Sequence, residues 1–308
     1  MHKRPLGSSG IEVSELALGS WRTFERVPRE QALAVMRAAR ESGISFLDDA
    51  RYGTGGGYSE VLFGELFRAA AWCRGEVVVA NKLWWEFWPE QTAMQELDAS
   101  LTRMGLDYLD LEYSAPLPEG LEVADAVQDI AWLIESGKLR AWGVLNWEPG
   151  QIAEAARIAG ALGLPAPCAA QLRYSLVERG VVEGAAMRDA LGEAGASVVA
   201  SASLAFGALS GKYASPAGAG GRIADELDDP RFAAALAAAA PLGQLAARLG
   251  VAPATLAYAF ALAHPAVASV VFGATQPAQI AENVAAADVL RRLDHAALAE
   301  LARIGAPG

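Results

Sequence analysis

The feature that most narrows what this chain can become is an alternation. Eight short apolar runs are each separated by longer segments that carry apolar residues at three- and four-residue spacing. Short apolar runs read as strands buried on both faces, and the longer segments as amphipathic helices. The runs are residues 16–18, 46–48, 77–81, 108–113, 141–145, 169–172, 197–201 and 269–272. Helices are predicted between them over 29–42, 58–70, 89–104, 123–136, 149–162 and 181–194, with stops at Ser42-Gly43, Ser136-Gly137 and Ala194-Gly195. Eight βα units without a break in composition point to one domain over 1–308, an α/β protein folded as a (β/α)8 TIM barrel. A doubly wound open sheet is the alternative.

Two additions frame the barrel. Residues 4–6 and 11–13 flank the turn Gly7-Ser8-Ser9-Gly10 and read as an N-terminal β-hairpin forming a small lid. Late in the chain, the small, Gly-rich stretch 215–221 reads as a mobile loop, followed by helices over 229–249 and 253–263 and, after the last strand, extra C-terminal helices over 277–287 and 294–304.

Composition excludes several classes. With 53% hydrophobic and 20% charged residues the 308-residue chain buries a large core. Its 36 acidic and 25 basic residues leave a net charge of −11, a field that repels nucleic acid and anionic membrane surfaces. Cys73 and Cys168 lie far apart without metal spacing and read as buried packing residues of a reduced, cytoplasmic protein. The N-terminus lacks a signal-peptide apolar stretch, and the Ala-rich segment 232–240 is too short to span a bilayer. No metal is expected, since His2, His264 and His295 fall in unrelated elements, His264 reading as a helix-end residue. The glycine run 53–57 lacks the GK[ST] of a phosphate loop and does not fit GxGxxG.

Polar residues at strand ends carry the chemistry. Asp48 ends the second run, Tyr52 follows four residues on, and Lys82 follows Asn81 at the end of the third. A cation beside a phenol favours phenolate and lowers its pKa, and a carboxylate would hold that cation. Taken alone, the same residues also fit an ordinary Asp–Lys salt bridge at a barrel mouth, with Tyr52 as a packing residue.

The ordered motifs resemble the aldo-keto reductases along most of the chain. They run from Gly43-Ile44-Ser45-Phe46-Leu47-Asp48 and Tyr52-Gly53 through Lys82, Leu106-Asp107-Tyr108-Leu109-Asp110-Leu111, Gly143-Val144-Leu145-Asn146-Trp147 and Gln171 with Tyr174-Ser175. They continue through Gly211-Lys212-Tyr213 to Gly273-Ala274-Thr275 with Gln279 and Asn283. The resemblance implies a barrel that binds NADPH or NADH at its C-terminal mouth and transfers hydride between nicotinamide and a small-molecule carbonyl or alcohol. It implies Tyr52 as general acid, Lys82 as the cation that tunes it and Asp48 as that lysine's partner. Asn146 and Gln171 correspond to the carboxamide-binding pair. Lys212 and the backbone of Leu204 to Gly207 would meet the pyrophosphate, and Gly273, Ala274, Thr275, Gln279 and Asn283 the adenosine end. A monomer is the family's usual state. Potassium-channel β subunits, which resemble the family, supply a second reading: a cofactor-sensing barrel with little turnover.

Four departures stand out. The turn from Asp48 to Tyr52 is one residue shorter than the family's, which leaves Asp49 able to share or take the lysine. The family's catalytic histidine at the fourth strand end falls on Ala115, or on Ser114 with the frame shifted by one, so Ser114 or a water would supply the missing contact; losing such a donor costs about a hundredfold or more. The aromatic residue that stacks on nicotinamide falls on Ser201, with Trp21 or Phe206 as replacements. At the adenosine phosphate, Gly273, Ala274 and Gln279 stand where NADPH-specific members present Lys, Ser and Arg, so NADH is a serious candidate. The loop Leu83-Trp84-Trp85-Glu86-Phe87-Trp88, with Trp21, Tyr52 and Trp147, predicts flat apolar pocket walls for an aromatic carbonyl or a sugar ring, with half of the tryptophans packed beneath the loop. Arg51 and Glu86 are the polar groups placed to select substrate.

Overall fold

A computed structural model describes residues 1–50, 59–214 and 221–306. A two-stranded antiparallel hairpin, β1 (Lys3–Pro5) and β2 (Glu12–Ser14), precedes eight parallel strands. These are β3 (Leu16–Gly19), β4 (Phe46–Asp48), β5 (Val78–Leu83), β6 (Leu109–Ser114), β7 (Leu139–Leu145), β8 (Ala169–Arg173), β9 (Ser197–Ser201) and β10 (Val267–Phe272). They pair in chain order, and β10 closes on β3 to make a barrel. The outer layer comprises α1 (Arg29–Glu41), α2 (Ser59–Ala69), α3 (Ala93–Met104), α4 (Val123–Glu135), α5 (Pro149–Leu162), α6 (Gly180–Glu183), α7 (Ala185–Ala194), α8 (Pro230–Leu249), α9 (Pro253–Ala263), α10 (Pro277–Arg292) and α11 (His295–Arg303). The closed barrel decides against the open sheet, and each of the eight expected runs is a strand.

Alternation along the strands sorts side chains into two cores. Leu16, Leu18, Leu47, Val79 and Val144 face the helices. Ala17, Phe46, Ala80, Leu111, Ala169 and Val199 fill the barrel, and the hairpin's Leu6, Ile11 and Val13 plug it from below. The period of two then fixes what lies above this interior layer: Asp48 above Phe46, Lys82 above Ala80, Gln171 above Ala169. The polar residues at strand ends converge because the apolar residues two positions earlier must point inward.

Several boundaries differ from expectation, for local reasons. The hairpin pairs Lys3 with Ser14 and Pro5 with Glu12, one residue outward, since Leu6 and Ile11 belong to the turn and Leu6 N donates to Ile11 O at 2.8 Å. α3 begins at Ala93, not 89, because Thr92 accepts from Gln95 N and Gln95 accepts from Thr92 N in a capping box. The helix expected over 181–194 is two helices: Gly184 takes an extended conformation (φ −66°, ψ 143°) and breaks it. α10 runs on to Arg292. His264 ends α9 as expected. Cys168 is buried, with its thiol pushed up to about 12, but Cys73 is exposed in the turn after α2, so its reading as a packing residue is wrong. Segment 232–240 is part of the 20-residue α8, long and apolar enough by length and composition to cross a membrane. α8 contains Pro241 and buries Phe232, Ala235, Ala238, Leu242 and Leu245 in the core. Most of the Gly-rich loop, residues 215–220, lies outside the described residues.

Candidate active site at the barrel mouth

The site is built on a buried ion pair. Lys82 Nζ lies 2.6 Å from Asp48 Oδ2, with both side chains under 10% exposed (3% and 8%). Two charges withdrawn from water persist only when paired and hydrogen-bonded, and the remaining contacts meet that demand. Lys82 Nζ also donates to the backbone O of Asp49 at 2.8 Å, and Gln171 Nε2 donates to Asp48 Oδ1 at 3.1 Å. The ammonium stands 5.3 Å from the ring centre of Tyr113, which is fully buried beside it on β6. Gly143 on β7 makes room for that ring: a Cβ there would sit 3.0 Å from Tyr113 Cδ1 and 2.4 Å from Ala169 O. Burial pushes the Tyr113 phenol well above its ordinary range, with Asp48 adding to the shift.

Asp49 does not take the lysine with its carboxyl. That group is fully buried, with Oδ1 accepting from Ser20 Oγ and, at 3.4 Å, from Ser59 Oγ, and the backbone of Ala50 adding a further contact. Burial raises its pKa from 3.8 to about 7, Ser20 opposes the rise and the nearby Glu60 adds to it. Arg51, Tyr52 and the glycine run 53–57 lie outside the described residues.

On the aromatic side, the tryptophans divide between buried and partly exposed, as expected of the loop. Trp85 and Trp147 are buried, and their indole N–H groups are spent internally: Trp85 Nε1 donates to Ser114 Oγ at 2.9 Å and Trp147 Nε1 to Ala115 O at 2.8 Å. Ser114 Oγ in turn donates to Ala115 O at 3.2 Å. The Ser114 hydroxyl is thus engaged within the protein on both sides. The loop itself is held by Glu96 on α3, whose carboxylate accepts from Trp84 N at 2.8 Å and Trp85 N at 3.0 Å. Sequence reasoning missed Glu96, because only folding shows a carboxylate on α3 reaching the turn after β5. Trp84 and Trp88 are half-buried, while Glu86 and Phe87 are exposed.

Around the rest of the mouth, Asn146 is exposed in a left-handed conformation (φ 53°) just past β7, and its N–H bonds to Gln171 O at 3.0 Å. That brings the expected carboxamide pair together. Ser201 Oγ donates to Leu172 O at 3.1 Å, so this hydroxyl serves β8. Trp21 and Phe206, the proposed stacking rings, pack edge-to-face on each other at 5.9 Å, and Arg173 lies over Phe206 at 5.2 Å. After Leu204, residues 205–207 all have positive φ, turning the backbone sharply beside Lys212. Within the turn, Ala205 N and Gly207 N bond to Ala202 O and Leu204 O. Lys212 is exposed and rests on the Tyr213 ring. At the far end, Gln279 Oε1 accepts from Thr275 N and Gln276 N, so it caps α10, and Ala274 and Asn283 are buried.

Arg222 is a second residue that sequence reasoning missed. Its Nη2 donates to the carbonyls of Trp21 and Arg22, its guanidinium lies 4.9 Å from the Trp21 ring, and it forms no ion pair among the described residues. Burial, Arg22 and Arg26 together pull its pKa down. It borders Gly273, where a Cβ would stand 3.8 Å from Nη2 and 2.4 Å from Thr23 Cγ2. The available signal was an arginine ten residues past Lys212, hidden by the glycines around it.

Comparison with known proteins decides the family. A profile described as Aldo/keto reductase family matches residues 15–306. The chain belongs to the aldo/keto reductase family. Two curated relatives are named probable voltage-gated potassium channel subunit beta. The one from Oryza sativa subsp. japonica is 33% identical, covering 94% of this chain and 92% of its own length. The one from Arabidopsis thaliana is 30% identical with the same coverage.

An aldo/keto reductase barrel binds a nicotinamide dinucleotide, and the residues here fit one. Lys212 and Arg222 are cations with no carboxylate partner among the described residues, suited to phosphates. Gln171 and Asn146 supply adjacent amides. The buried Asp48–Lys82 pair stands beside them.

Proposed function

We propose that this chain is an NAD(P)H-dependent oxidoreductase acting on an aldehyde, ketone or sugar carbonyl, or on the corresponding alcohol. The observation that carries the reading is the buried Lys82, paired with Asp48 and flanked by Gln171 at the C-terminal end of the barrel. When bound, the nicotinamide supplies or accepts the hydride. Tyr52 delivers the proton to the carbonyl oxygen in reduction and retrieves it in oxidation. Lys82 favours the phenolate that results, and Asp48 fixes the ammonium. Arg222, with Arg22 and Arg26 nearby, favours the extra phosphate of NADPH over NADH. The protein works as a cytoplasmic monomer on a small molecule, without nucleic acid or membrane. Tyr52→Phe tests the assignment: turnover should vanish while NADPH affinity stays within about twofold of wild type, and a fully active variant rejects it.

A second reading is favoured by one observation. The Ser114 hydroxyl accepts from Trp85 and donates to the Ala115 carbonyl, so it is already engaged where the family's catalytic histidine would donate to a developing oxyanion. A barrel of this kind binds cofactor tightly, turns over slowly and acts as a sensor, and the relatives' names, which call them channel subunits, support a place in a larger assembly. Titration with NADPH followed by a panel of carbonyls separates the two: tight binding with negligible turnover throughout favours the sensor.

A further inference from the structure

The loop after β5 is held by a carboxylate from outside the mouth. Glu96 on α3 is buried, its Oε1 accepting from Trp84 N at 2.8 Å and its Oε2 from Trp85 N at 3.0 Å. Trp85 has a left-handed backbone (φ 58°), a conformation that a bulky residue keeps only where its surroundings hold it. The two bonds to Glu96 supply part of that hold, and the indole bond to Ser114 Oγ and the bond from Trp88 N to Trp85 O at 3.1 Å supply more. Trp88 also rests against the loop after β6, where a Cβ on Gly120 would stand 3.5 Å from its ring. The half-buried rings of Trp84 and Trp88 and the exposed ring of Phe87 are therefore carried on a loop tied to both α3 and β6.

A second acid stands beside this anchor. Glu112 on β6 is buried, neither of its carboxyl oxygens has a hydrogen-bond partner among the described residues, and the charges that act on it are Glu96 from α3 and Glu60 from α2. Burial and these two carboxylates push its pKa well up, so Glu112 holds a proton while Glu96, with a donor at each oxygen, carries the charge.

We propose that Glu96 is a positioning residue for substrate: it fixes loop 84–88 before any ligand arrives, so that the mouth presents a preformed ring-binding wall and selects flat aromatic carbonyls over small aliphatic ones. The inference rests on the oxidoreductase reading above and deepens it. A wall ordered in advance lowers the cost of binding only for a ligand that touches it, because the fraction of loops already competent scales that ligand's affinity. A small aliphatic carbonyl that does not reach the wall gains nothing from the anchor.

The test measures the affinity of 2-naphthaldehyde and of propanal for the full chain loaded with NADP+, a complex in which no hydride passes to the aldehyde, by calorimetric titration. Wild type should bind the naphthaldehyde about tenfold more tightly or better. Glu96→Gln keeps the side chain's length but turns an amide N–H toward one of the two backbone N–H groups. Its naphthaldehyde affinity should fall about tenfold, with propanal and NADP+ each within about twofold of wild type. Glu112→Gln, which leaves both anchor bonds in place, should hold all three affinities within about twofold. Amide exchange in wild type is an arm that needs no variant: the N–H groups of Trp84 and Trp85 should be as protected without the naphthaldehyde as with it. Unchanged naphthaldehyde affinity in folded Glu96→Gln, an equal fall there for propanal or NADP+, an equal fall in Glu112→Gln, protection that arises only on adding the aldehyde, or no preference in a wild type that binds both aldehydes overturns this inference alone. A wild type that binds NADP+ but neither aldehyde, or no NADP+ at all, overturns the oxidoreductase reading and this inference with it.

Discussion

Trp85 donates its indole N–H to the buried Ser114 Oγ at 2.9 Å, and the serine's own proton goes to Ala115 O. A hydroxyl so engaged is structural. Ser114→Ala should leave the indole N–H buried and unpaired, costing about 1–3 kcal/mol of stability. Turnover should change by less than about tenfold, far short of what loss of an oxyanion donor costs. Thermal unfolding and steady-state kinetics on one carbonyl substrate measure both effects; a hundredfold fall in kcat at unchanged stability contradicts the assignment.

The ion pair makes a sharper prediction. Lys82→Met removes the cation and leaves the Asp48 carboxylate buried with Gln171 as its remaining side-chain donor among the described residues. Breaking a buried pair from one side costs about 3–5 kcal/mol. Denaturant unfolding should show this loss, and turnover should disappear with it. A variant as stable as wild type would mean that water reaches Asp48 freely.

The barrel was legible because it rests on a repeated local pattern, apolar runs alternating with amphipathic segments, and each run became a strand. Asp48 and Lys82 were legible for the same reason, being strand-end residues whose direction the period of two dictates. What escaped depends on contacts between elements distant in sequence. Glu96 and Arg222 find their partners only through the fold, and Trp85 and Trp147 read as pocket walls until their N–H groups are seen bonded to β6 and the residue after it. The break at Gly184 was missed because apolar spacing continues across it.

Arg222 sets the expected choice of cofactor. Its guanidinium borders Gly273, Arg22, Arg26 and Glu25 act on its charge, and no carboxylate is ion-paired to it among the described residues. A charge-assisted bond to a phosphate contributes about 1.5–3 kcal/mol, so Arg222→Ala should weaken NADPH binding by about tenfold to a hundredfold and leave NADH nearly unchanged. Parallel titrations with the two cofactors check it. Equal losses for both would place the arginine on the shared pyrophosphate instead.

Asp49 ties stability to pH. Its carboxyl is raised from 3.8 to about 7, chiefly by burial. Between those values the folded chain holds a proton that the unfolded chain has released. Its contribution to stability is therefore fully present below about pH 4, declines as pH rises toward 7, and is gone above that. Asp49→Asn keeps an acceptor for Ser20 without a charge to bury. The variant should match wild type at about pH 4 and exceed it at about pH 8, by roughly 1–2 °C in Tm for each kcal/mol recovered. Thermal unfolding of both proteins across this range measures the divergence, and parallel curves would mean that Asp49 stays ionised in the folded chain.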